Sequence, residues 1–169
     1  MHIRQRAGFA CEFCGVAEMD AGGQLTLDHF QPKSKGGSDS IDNILYCCVR
    51  CNQYKQDYWP SQTVDLMIWN PLIEPASAHF LEGERGKLFP LTETGKFTIE
   101  RLRLNRSPLI AYRQNRRKQQ EETRLLEQYK SLVQFLEQNN DQLATQTKEQ
   151  QQLLEEQRRL IQFLLRQKK

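Results

Sequence analysis

Five cysteines crowd into the first third of this 169-residue chain: Cys11, Cys14, Cys47, Cys48 and Cys51. Cys11-Glu12-Phe13-Cys14 and Cys48-Val49-Arg50-Cys51 are two C-x2-C units with 33 residues between them. Two thiolates three positions apart can grip one ion from a tight turn. Two such knuckles complete a tetrahedral shell of four thiolates, the signature of zinc. A shell closed by four protein ligands leaves no open position, so the ion is expected to be structural. An odd cysteine count without a secretory signal argues against a disulfide framework and for a reducing, cytoplasmic setting. Cys47 lacks the x2 spacing to Cys51 and reads as a small core residue.

Between the knuckles, Leu25-Thr26-Leu27-Asp28-His29-Phe30 alternates as a β-strand does. Its Asp-His pair could hydrolyse a phosphodiester. That reaction needs a water relieved of its proton, positive charge on the developing anion, and in-line geometry. A histidine titrating near neutrality can serve as the base. Neighbouring side chains on a regular strand alternate faces, so the two residues should divide the labour, with local distortion bringing both into one site. Asp28 would hold an ion while His29 faces the phosphate. Mg²⁺ prefers oxygen ligands and keeps several waters, so Asp28 plus one amide oxygen is a sufficient protein share. Asn52, in the first turn after the second knuckle, offers that oxygen.

Asp28-His29-Phe30-x-Pro32, then Gly36-Gly37, then Asp42-Asn43-Ile44-Leu45, then Cys48-x2-Cys51-Asn52-x2-Lys55 resembles the HNH endonuclease family over about residues 9–57. The resemblance implies a ββα-metal core of α+β class and a nuclease cutting DNA with a divalent ion, Mg²⁺ or Mn²⁺. It also implies roles: His29 as general base, Asn43 tying the loop to the hairpin and orienting that base, and Asn52 binding the metal. The family pattern often ends in histidine where this chain has Asn52, which puts the preferred metal in question more than activity. Lys33, Lys35, Arg50 and Lys55 are candidates for backbone phosphate contacts, which position nucleic acid without reading its sequence.

Composition sets the frame for these residues. The net charge of +3 permits a polyanionic partner without demanding one. No stretch approaches the roughly 18 apolar residues of a membrane helix. Three segments are expected: a nuclease core at 1–58, a β-containing extension at 59–107 packed on it, and a helical tail at 108–169. Four of the six prolines fall in the middle segment. There Leu88-Phe89 and Phe97-Thr98-Ile99 read as hairpin arms around a turn at 92–96. Ser107-Pro108 suits a helix start, an N-cap hydroxyl followed by proline where its missing N–H costs nothing. Beyond it a 4-3-4 seam links Leu125, Tyr129, Leu132 and Leu136 and resumes at Leu153, Leu160 and Leu164, with a mostly polar middle. The seam fits either a long helix that forms a coiled coil with a second copy, making a homodimer, or a helical hairpin turning near Asn139-Asn140-Asp141. The rival to a nuclease is a non-catalytic zinc module that binds nucleic acid or protein.

Overall fold

In a computed structural model, which describes residues 2–62 and 64–167, the chain is mixed α+β. Two short helices, α1 (His2–Arg6) and α2 (Glu18–Ala21), flank the first knuckle. Strands β1 (Thr26–His29) and β2 (Ile44–Cys47) pair antiparallel, with Asp28 opposite Leu45 and His29 opposite Ile44. All four residues of β2 are buried, which is why it reads as the apolar run Ile-Leu-Tyr-Cys; β1 is only half covered and leaves Leu27 exposed. Helix α3 (Val49–Lys55) follows at once, with Cys48 as its N-cap, the sulfur accepting from the Cys51 amide at 3.4 Å.

The second hairpin differs from the expected one. Strand β3 (Phe80–Glu82) pairs with β4 (Leu88–Pro90), and the segment holding Phe97-Thr98-Ile99 is a helix, α4 (Glu93–Arg101). Thr92 caps it, its hydroxyl accepting from the Gly95 amide at 2.9 Å. Gly95 serves packing rather than a turn, because a Cβ there would stand 2.3 Å from the His79 carbonyl oxygen. The real turn lies between Gly83 and Lys87, where Gly86 takes a φ of +71°, a left-handed conformation that glycine adopts at little cost.

Helix α5 runs from Ser107 to Gln167 without interruption, starting one residue before the expected first helical position. Asn139, Asn140 and Asp141 lie inside it, so the fold-back considered at those residues does not occur. The chain divides into two compact units, Met1–Arg117 and Lys118–Lys169. In the second, Leu125, Tyr129, Leu132, Leu136, Leu153, Leu160 and Leu164 are all exposed. No helix among the described residues is long and apolar enough to cross a membrane.

The first unit has one interior. Phe13, Phe30 and Leu45 from the knuckle region share it with Ile68, Trp69, Phe80, Leu102, Leu104 and Leu109. Phe13 and Trp69 meet edge to face at 6.5 Å between ring centres, and Trp69 in turn meets Phe80 at 5.2 Å. Burying such rings helps to hold this unit together.

Candidate metal and catalytic sites

The two knuckles converge. The sulfurs of Cys11, Cys14, Cys48 and Cys51 all lie within 4.8 Å of one another, and all four residues are buried. A regular tetrahedron with Zn–S bonds of about 2.3 Å has edges of about 3.8 Å, and the Cys14–Cys48 sulfur separation is 3.8 Å. Sulfur–sulfur hydrogen bonds couple these thiols, drawing Cys48 down through Cys11 and Cys14 and pushing Cys14 and Cys51 up through Cys11. Four buried thiols can ionise together only around a cation, so the donor set fits a structural zinc. Cys47 is also fully buried but stands outside the cluster, with its thiol pushed up by burial.

A second constellation sits where β1 crosses α3. Lys55 is 1% exposed, and its ammonium donates to the His29 carbonyl oxygen at 2.6 Å and lies 2.9 Å from Asp28 Oδ2. That contact is an ion pair, and the buried Asp28 Oδ2 makes no hydrogen bond beside it. The ammonium offsets the charge of this oxygen but leaves it free to take a further ligand. A hard divalent cation fits that place. Lys55 corrects its sequence reading: an ammonium held inside the protein between Asp28 and His29 cannot reach a backbone phosphate.

The His29 ring stays accessible, with its side chain 27% exposed. Its Nε2 lies 2.7 Å from Asp39 Oδ1, and Lys33 Nζ lies 2.8 Å from that same oxygen. Lys33 first, and His29 second, hold the Asp39 carboxyl below the usual carboxylate range. Asp39 is a partner that sequence reading missed; an acid ten residues downstream in the Ser38-Asp39-Ser40 loop carries no local signal. It is exposed, so the pair is weak and the ring can be released to a substrate.

Asn43 closes the loop between the strands. Its carbonyl oxygen accepts from Gln31 N at 2.8 Å, and its amide nitrogen donates to Gln31 O at 3.0 Å and Ser38 O at 2.8 Å. This clamp fixes the chain on both sides of the loop that begins just after His29. Gly37 makes room for it, since a Cβ there would fall 1.8 Å from Gln31 O. Asn52 lies three residues before Lys55 on α3, hence on the same helix face, and is half-buried. Its side-chain amide makes no hydrogen bond among the described residues. Lys33 and Lys35 occupy an exposed 3₁₀ turn, and Arg50 is exposed near the N-terminus of α3. The structure thus gathers Asp28, His29 and Lys55, clamps the loop with Asn43, and sets Asn52 on the facing helix.

No curated protein and no solved structure matches the chain. Residues 11–66, which begin at the first knuckle cysteine and include β1, β2 and α3, match the family described as HNH endonuclease.

Proposed function

We propose that the protein is a metal-dependent endonuclease that hydrolyses DNA phosphodiester bonds, with β1, β2 and α3 acting as a ββα-metal core. One observation carries this reading. An accessible imidazole, His29, neighbours a buried carboxylate oxygen that lacks a hydrogen bond, on a hairpin locked by Asn43. His29 takes the proton from the attacking water, and breaking its exposed contact with Asp39 frees Nε2 for that task. Asp28 and Asn52 hold Mg²⁺ or Mn²⁺, which supplies positive charge where negative charge develops. Asn43 keeps the loop, and through it the ring, in position. Lys33, Lys35 and Arg50 meet the nucleic-acid backbone. We assign residues 1–58 to the nuclease core, 59–107 to an extension and 108–169 to a tail that joins two copies through its leucine seam.

The non-catalytic reading has one observation in its favour: the Lys55 ammonium already neutralises Asp28. A plasmid assay separates the two. The full chain with Mg²⁺ or Mn²⁺ should nick or linearise supercoiled DNA, and His29→Ala should abolish this with zinc content unchanged. Undiminished cleavage by His29→Ala removes the proposed base. DNA binding without cleavage under either ion supports the non-catalytic module.

A further inference from the structure

Two arginines in the first unit direct their N–H groups at carbonyl oxygens rather than at a carboxylate. Arg113 is 3% exposed, and its guanidinium donates to the Gly86 carbonyl at 3.0 Å and the Leu104 carbonyl at 2.8 Å. Arg106 is half-buried over the Tyr54 ring, and one guanidinium nitrogen donates to the carbonyls of Leu102 and Arg103. Among the described residues neither forms an ion pair with an acid. Carbonyl oxygens satisfy the N–H groups but bring no negative charge, and a buried charge without a counter-charge is expensive.

The other Arg106 nitrogen points at the cysteine cluster, 3.8 Å from Cys51 Sγ. The charge that most supports Arg113 is Glu82, so of the two only Arg106 faces the sulfurs. Four thiolates around one Zn²⁺ carry a net charge of about −2. The Arg106 guanidinium offsets part of it with one positive charge. We infer that Arg106 is a counter-charge of the four-cysteine site, a positioning residue whose N–H···S contact steadies the Cys51 sulfur. Arg106 lies beyond residues 11–66, so the cysteine site is supported by a part of the chain that the HNH match does not cover. The inference rests on the reading of Cys11, Cys14, Cys48 and Cys51 as zinc ligands.

Groups that hydrogen-bond metal ligands typically change affinity by about 10- to 100-fold when removed. The full chain is therefore loaded with zinc, and release to an excess of a chromophoric chelator is followed. Arg106→Gln should release zinc at least about 10-fold faster than wild type, and Arg106→Lys, which keeps the charge, should fall between the two. Arg103→Gln is the control: Arg103 also lies over Tyr54, at 5.0 Å, but is exposed and makes no contact with sulfur. It should behave as wild type. Cobalt substitution gives a signature that a purely structural role would not move. Without an N–H donor on its sulfur, Cys51 becomes a better electron donor, so the sulfur-to-cobalt absorption band of Arg106→Gln should shift to longer wavelength. Wild-type release with an unshifted band overturns the assignment. Failure of Arg106→Lys to retain zinc better than Arg106→Gln also overturns it, because shape rather than charge would then matter. Elemental analysis of wild type checks the underlying reading separately: a folded chain without zinc overturns both together.

Discussion

Replacing Lys55 by methionine would leave Asp28 facing the interior without the ammonium that stands 2.9 Å away. Breaking a buried pair from one side costs about 3–5 kcal/mol, because the remaining charge is uncompensated. Lys55→Met should lose about that much stability in urea unfolding without divalent ions, and Mg²⁺ or Mn²⁺ should restore part of it by binding the freed carboxylate. A loss that ignores added ions would remove Asp28 from the proposed ligand set. A different pair governs acid behaviour. Glu18 accepts two bonds from Arg4, each 2.6 Å, and one from the Tyr46 hydroxyl, so its carboxyl is held down to about 2. A carboxyl whose pKa falls on folding contributes stability above its unfolded value near 4.5 and loses it as pH drops toward about 2. Wild type should therefore exceed Glu18→Gln in stability near neutrality, and the gap should close through that acid window. A gap constant with pH would mean that the carboxylate charge plays no part. The four-cysteine cluster was legible because x2 spacing is a local pattern. Lys55 was not, since its partners are 26 and 27 residues away and a buried lysine looks like any other in sequence.

At the scale of elements, two small residues decide geometry. Gly37→Ala would drive a Cβ into the Gln31 carbonyl oxygen and crowd the Asn43 amide, 3.0 Å from that Cβ, so the loop must open. Cleavage should collapse while zinc content stays at wild type, measured by nicking assay and elemental analysis on one preparation. Retained cleavage would show that the Asn43 clamp does not serve the reaction. Thr92→Ala removes the α4 cap and the hydroxyl beside His79 Nδ1, 2.7 Å away, and should cost about 1 kcal/mol in tryptophan-monitored urea unfolding. This region also shows where sequence reading ran out. The β-prone run Phe97-Thr98-Ile99 was expected as a strand, yet Thr98 is buried in α4 and donates to the Thr94 carbonyl. Tertiary packing outweighed a weak local preference. The better signal was present in Gly83-Glu84-Arg85-Gly86, a turn between Phe80-Leu81 and Leu88-Phe89, but the later glycine at position 95 competed with it.

For the whole molecule, the shared interior of the first unit matters most. Phe13 packs on Trp69, the Trp69 amide donates to the Thr98 hydroxyl at 2.8 Å, and Arg101 donates to the Lys55 carbonyl at 3.2 Å, so both halves of the unit meet across many residues of sequence. The link between them passes through an exposed stretch where Val64 is 80% exposed and Leu66 and Met67 also meet solvent. Exposed tips of this kind are preferred sites of proteolytic nicking. A protease should cut near Val64 and yield two peptides that still co-elute, because the cut removes a covalent connection but little of the interface. Fragments that separate without denaturant would contradict a common interior. The corollary is fragment complementation: separately produced pieces ending and beginning near Val64 should be inert apart and regain tryptophan burial, zinc retention and cleavage when mixed, which would make the protein a natural split reporter.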